Sequence, residues 1–224
     1  MLARHSLVWL SSVGWQRATE AVAPAQRAAL EQWHRADWPV VLRRQEPDTM
    51  VDQVCLGLPL PPNAEGDKIR IPFKVELGAI QRIEQPLALQ AALTHAPSKW
   101  LTPLHAFAES CHRIGILMRI YGSWSWQILT QQTYLTPTSD IDLLFVPRNA
   151  HEFSCGLALL AQYAACLPLD GEVIFPDGQA VAWKECLLAL PKASQNKVLV
   201  KSETTVRLVT LSTLIDSLEG VASA

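Results

Sequence analysis

Two aspartates, Asp140 and Asp142, stand at alternate positions in the apolar run "SDIDLLFVP", and a Gly-Ser pair, Gly122-Ser123, closes the upstream run "ILMRIYGS". In an extended strand, residues i and i+2 project from one face. The two carboxylates therefore point together while Ile141 and Leu143 enter a core. Like charges held this close oppose one another unless a cation lies between them. Magnesium favours one or two carboxylates plus phosphate oxygens over an all-protein cage, so Asp140 and Asp142 suit a Mg2+ ion held against a polyphosphate. Gly122 lets the backbone approach a ligand closely, and a helix start after it presents unpaired N–H groups to an anion. Ser123 adds a hydroxyl. One side of such a site grips phosphate by backbone dipoles and the other through metal. That is equipment for phosphoryl or nucleotidyl transfer, where catalysis is mostly positioning and charge neutralisation.

The elements around these residues alternate between helix and strand. "PLHAFAESCHRIG" predicts a helix closed by Gly115, "ILMRIYGS" a short strand, and "WSWQILTQQ" a short helix. "DIDLLFVP" is a strand stopped by Pro147, and "NAHEFSCGLALLAQYAACL" a helix with Asn149 as its cap. "GEVIF" is a third strand, "PDGQ" a turn, and "KVLVKS" a further strand. "AVAWKECLLAL" fits strand or helix, and "LSTLIDSLEG" is a final helix. This alternation predicts an α/β (α+β) domain, a mixed sheet flanked by helices.

The first part of the chain differs. "SLVWL" reads as a strand, a helix begins at Pro24, and Trp38-Pro39 ends it. "PVVLRR" is β-like. "MVDQVCLGLPL" and "KIRIPFKVEL" flank "PPNAEGD", and period-2 alternation across such a loop predicts a hairpin. Residues 1–95 are thus expected to form a small β-rich N-terminal domain and 96–224 the catalytic domain, with the linker in "THAPSKWLTP".

The 224-residue chain is 49% hydrophobic, enough for a sizeable core, and its net charge of −2 points away from nucleic acid. No run reaches the roughly 18 apolar residues of a membrane span. The N-terminal run "SLVWL" is shorter than a secretory core. Five cysteines with wide, irregular spacing predict neither a zinc site nor a disulfide framework. Reduced cysteines packed as small hydrophobes place the chain in the cytoplasm.

A strand ending in Gly-Ser, then a helix, then a strand bearing Asp-x-Asp resembles the DNA-polymerase-β-like nucleotidyltransferase superfamily. The phrases "RIYGSWSWQ", "SDIDLLF", "DGEVIFPDGQAVAWKE" and "VLVKS", with "RHSLVWL", "VVLRR" and "LGLPLPP" before them, narrow the likeness. Together they resemble the malonate decarboxylase holo-acyl-carrier-protein synthase family, the phosphoribosyl-dephospho-CoA transferases, over nearly the whole chain. The resemblance implies a nucleotidyltransferase fold in the C-terminal domain. It implies transfer from 2′-(5″-triphosphoribosyl)-3′-dephospho-CoA to a serine of the apo acyl-carrier subunit of malonate decarboxylase, with diphosphate released.

On this resemblance Asp140, Asp142 and a third carboxylate are catalytic. Glu172 in "DGEVIF" is the favoured third, with Asp170 as rival on the same face. Gly122, Ser123, Ser139, Lys184 and Lys201 are the candidate substrate-binding residues. The long Ser123–Asp140 interval predicts a loop over "QQTYLTPT". An ATP-dependent nucleotidyltransferase acting on a small molecule or another protein is the alternative that the same core allows. A binding module without activity would have no reason to keep mutually repelling carboxylates.

Overall fold

In the computed structural model, which describes residues 3–219, the chain divides into two units. The first comprises the chain up to Pro86 together with Trp126–Thr136. The second comprises Leu87–Ser125 and the chain from Pro137 onwards. The division falls after Pro86, not at 95. The residues just beyond it belong with the second unit because Ile120 N donates to Leu87 O and Ala88 bridges to Arg119.

The first unit is built from β1 (Leu7–Leu10), α1 (Ser12–Ala21), α2 (Pro24–Arg35), β2 (Val40–Leu42), β3 (Gln53–Pro59), β4 (Arg70–Glu76) and β5 (Ile80–Glu84). The strands form one antiparallel sheet in the order β4-β3-β2-β1-β5. The hairpin read from alternation is β3–β4, in which Ile71, Phe73 and Val75 are buried and Arg70 is exposed. Pro24 occupies the first turn of α2, where its missing N–H costs nothing. Leu30 and Trp33 turn inward and join one hydrophobic core with Val40, Leu56 and Leu58. Leu7 and Trp9 pack with Trp126 and Tyr134, whose hydroxyl donates to Pro59 O at 2.7 Å. The predicted loop over 131–138 is a loop, held by Gln127 Oε1, which accepts from Tyr134 N and Leu135 N.

The second unit runs α3 (Leu89–Ala92), α4 (Ser98–Arg113), β6 (Met118–Ile120), α5 (Gly122–Thr130), β7 (Ile141–Phe145), α6 (Ala150–Tyr163), β8 (Leu169–Ile174), β9 (Ala180–Ala182), α7 (Trp183–Ala189), β10 (Lys197–Lys201), β11 (Val206–Thr210) and α8 (Leu211–Glu219). The residues of α5 from Trp126 onward are the ones grouped with the first unit. Six strands form a mixed sheet, β11-β10-β9-β8-β7-β6, in which only β7 and β8 run parallel.

One sheet face is the core face. It presents Ile141, Leu143, Phe145, Val173, Val181, Val198 and Val200, all at most 1% exposed. Each such side chain contributes about 1.5–3 kcal/mol of burial. Phe145 lies directly against Gly156 of α6, and Phe153 meets Phe175. Cys111 and Cys186 are buried free thiols, each pushed up to about 12 by desolvation. They behave as the small hydrophobes expected of them.

Three local expectations need correction. "SKWLTP" is not linker but the first turns of α4, where Trp100, Leu104, Phe107 and Cys111 bury at helical spacing. Pro103 is accommodated inside that helix. "AVAWKECLLAL" is both elements in succession, β9 then α7. α1, α3, β5 and β11 were not anticipated, each being short or lacking strong periodicity.

Candidate active site

The parallel register of β7 and β8 decides the site. Asp142 lies directly opposite Asp170, and Leu144 opposite Glu172. One ligand oxygen from each of Asp140, Asp142 and Asp170 lies within 4.8 Å of the others, and all three residues are half-buried. At that spacing each pair of charges repels by about 1 kcal/mol at the dielectric of water and about 3 kcal/mol at an effective value near 20. Oxygen-only donors at this density suit a hard divalent cation such as Mg2+.

Asp170, not Glu172, is therefore the carboxylate beside the Asp140/Asp142 pair. Glu172 shares its face but sits one rung further along. Its side chain is 8% exposed, and one oxygen accepts from Lys201 Nζ at 3.2 Å. The sequence offered both acids at equal spacing. Only the register, with Asp142 and Asp170 at the same depth, separates them.

Gly122 starts α5 with φ +67°, a left-handed conformation that glycine adopts without strain. It lies so near the cluster that a β-carbon there would fall 1.8 Å from Asp142 Oδ2. Tyr121 N donates to Asp142 O at 3.0 Å, which ties the end of β6 to β7 at this point. Gly171 permits a similar approach between strands, since a β-carbon would stand 2.0 Å from Leu143 O. Gly122 lets backbone crowd Asp142, and Gly171 lets β8 close on the backbone of β7 at Leu143. Ser123, in the first turn of α5, and Ser139, just before Asp140, are buried at 7% and 5% exposure.

The two lysines have distinct partners. Glu172 pairs with Ala182 in the antiparallel β8–β9 ladder. The same count carried two residues further brings Lys184 to Asp170, with Nζ 3.3 Å from Oδ1. Lys201 meets Glu172 instead. Arg119, not singled out from the sequence, lies opposite Leu144 and so shares the face of Asp142. Burial lowers its guanidinium pKa from the ordinary value. Its position three residues before Gly122, on a strand paired with β7, was the signal available.

The class that this arrangement defines is a two-unit α/β transferase, its acidic cluster seated on the parallel strand pair of the second unit. Two family profiles describe nearly the whole chain. The phosphoribosyl-dephospho-CoA transferase MdcG N-terminal domain matches residues 3–86, and the MdcG C-terminal domain matches residues 87–212. The chain belongs to the phosphoribosyl-dephospho-CoA transferase family and is an enzyme of the transferase class.

It is 36% identical over 190 residues to the phosphoribosyl-dephospho-CoA transferase of Xanthomonas campestris pv. campestris (strain 8004), covering 83% of this chain and 85% of that one. To the protein of the same name from Bradyrhizobium diazoefficiens it is 36% identical over 185 residues, 81% and 80% of the two chains. To that of Xanthomonas axonopodis pv. citri it is 34% identical over 212 residues, 93% and 94%. No solved structure matches. Among the described residues, no helix is long and apolar enough to cross a membrane.

Proposed function

We propose that this enzyme transfers the phosphoribosyl-dephospho-CoA group from 2′-(5″-triphosphoribosyl)-3′-dephospho-CoA to a serine of the apo acyl-carrier subunit of malonate decarboxylase, in the cytoplasm. The serine oxygen bonds to the α-phosphorus, the bond from that phosphorus to the α,β-bridging oxygen breaks, and diphosphate leaves. The serine proton passes to solvent or to a nearby carboxylate. The observation that carries the reading is the direct opposition of Asp142 and Asp170, with Asp140 beside them, in a chain of this family.

Asp140, Asp142 and Asp170 would hold Mg2+, whose charge would offset that of the polyphosphate. The remaining work belongs to the chain itself. Gly122 opens a helix whose first N–H groups would receive phosphate oxygens, with Ser123 and Ser139 beside them in the sequence of the same two segments. Lys184, half-exposed on Asp170, neutralises the leaving diphosphate. Glu172 is given the task of positioning Lys201, not of binding metal, because its oxygen already engages that ammonium.

The test is the intact mass of the apo carrier subunit after incubation with enzyme, Mg2+ and the triphosphoribosyl donor, beside a parallel incubation with ATP. The reading expects the carrier to gain the mass of the phosphoribosyl-dephospho-CoA group with the first donor alone. A carrier that gains mass only with ATP would overturn it in favour of an ATP-dependent nucleotidyltransferase.

A further inference from the structure

We infer that Gln127 is a positioning residue for the reaction: its side-chain oxygen sets where Asp140 stands, by tying the chain that leads to Asp140 onto the helix that begins at Gly122. The inference rests on the reading of the aspartate cluster as a cation seat. Gly122-Ser123 and Ser139-Asp140 lie at the two ends of one excursion of the chain. It leaves the second unit after Ser125, runs through Trp126–Thr136 within the first, and rejoins the second at Pro137. The outgoing arm is α5, and the returning arm is the loop that ends at Asp140.

The reversal between the arms is tightly held. Gln131 takes φ +57°, in the left-handed region, just past the end of α5. Thr130 Oγ1 donates to Trp126 O at 2.7 Å. Gln127 stands little more than one helical turn beyond Gly122. Its Oε1 accepts from Tyr134 N at 3.1 Å and from Leu135 N at 3.0 Å. An amide nitrogen accepts neither, so the carboxamide has one orientation here. A single atom thus holds the returning arm against the helix. Tyr134 is a second anchor: its ring is buried with Leu7, Trp9 and Trp126, and its hydroxyl donates to Pro59 O.

The three aspartates differ in what holds them. Asp142 and Asp170 lie inside β7 and β8 and are paired in the ladder. Asp140 precedes the first residue of β7, so its place depends on the loop before it. It must nonetheless keep an oxygen within 4.8 Å of both others. Without Gln127 Oε1, the N–H groups of Tyr134 and Leu135 need new acceptors, because a backbone donor left unpaired away from water is costly. The loop moves to find them, and Asp140 moves with it. Loss of the clasp therefore acts on the cation seat through Asp140, with the β7–β8 pair left in register.

The experiment titrates Mn2+ into the full chain, with free Mn2+ followed by electron paramagnetic resonance, and measures kcat for carrier labelling on the same preparations. Gln127→Met, Gln127→Asn and Gln127→Glu are compared with the unsubstituted protein below their unfolding temperatures. Gln127→Met keeps the length of the side chain and removes the acceptor. It is expected to weaken Mn2+ binding about threefold or more and to lower kcat about tenfold or more. Gln127→Asn, one methylene shorter, should do the same and serves if the Met variant does not fold. Gln127→Glu keeps an oxygen for both N–H groups and should restore Mn2+ affinity to within about twofold. Unchanged Mn2+ affinity in the Met or Asn variant, whatever its unfolding temperature, overturns the proposal. Equal weakening in Gln127→Glu also overturns it, since the acceptor would not be the cause. If the unsubstituted chain binds no Mn2+, the cation seat and the role of Gln127 fall together. If it binds Mn2+ and labels no carrier, the transfer reading alone fails and the Mn2+ series still decides for or against Gln127.

Discussion

Gly122 and Asp142 are in such close approach that no β-carbon fits between them: one built on Gly122 would lie 1.8 Å from Oδ2 and 2.6 Å from the carboxyl carbon. The Gly-Ser element and the Asp-x-Asp strand thus meet at Gly122 and Asp142. Gly122→Ala is expected to drive the Asp142 carboxylate out of the cluster. A displacement near 1 Å at a reacting centre can lower the rate about 100-fold. The left-handed φ of +67° adds a folding cost of about 1–3 kcal/mol for a residue with a side chain. Transfer assays and thermal unfolding on the same preparation separate the two effects. A variant that transfers normally would show that Asp142 need not stay where it is.

The ammonium of Lys184 rests on Asp170, and both side chains are about half exposed. An ion pair of this kind contributes about 1 kcal/mol at most, so a stronger cation displaces it readily. Lys184→Met should therefore tighten divalent-cation binding in the absence of donor by up to about fivefold. The same change should raise KM for the polyphosphate donor. Metal titration and steady-state kinetics give the two readouts. Weaker cation binding in the variant would show that Lys184 supports the acids instead of competing for them.

Much of this site can be read from spacing, because a period of two along "DIDLLF" and a Gly-Ser before a helix are local facts. Register is not local. Asp170 and Glu172 occupy equivalent positions on one strand face, and only the parallel pairing of β7 with β8 brings Asp170 level with Asp142. The partners of Lys184 and Lys201 depend on the β8–β9 and β9–β10 ladders in the same way. At the level of elements, the Asn149 cap, the Pro24 start and the β3–β4 hairpin follow from turn chemistry and alternation. The start of α4 does not. Its prolines suggested a linker, yet burial of Trp100 and Leu104 outweighs the lost hydrogen bond at Pro103.

The start of α6 makes a prediction about pH. Asn149 Oδ1 accepts from Glu152 N at 2.9 Å, and Glu152 in turn accepts from Arg148 N at 2.8 Å and Arg148 Nε at 2.7 Å. The Arg148 hydrogen bond is the largest influence, and it lowers the Glu152 pKa below 4.5. A depressed carboxylate contributes stability that is present above its unfolded pKa and lost as pH falls through the folded one. The unfolding-temperature gap between the native chain and Glu152→Gln should therefore persist at neutral pH and close progressively below pH 4.5. Asn149→Ala removes the cap itself and should cost about 1 kcal/mol at neutral pH. A gap that widened on acidification would contradict the assignment.

The account depends on the three aspartates acting together as a seat for a divalent cation. Titration of Mn2+ into the protein, with free Mn2+ followed by electron paramagnetic resonance, tests this without reference to turnover. Asp142→Asn and Asp170→Asn should each weaken binding about tenfold or more, as loss of a charged oxygen ligand requires, while Glu172→Gln leaves it within about twofold of the native value. Equal affinity in all four proteins, or loss confined to Glu172→Gln, would contradict it.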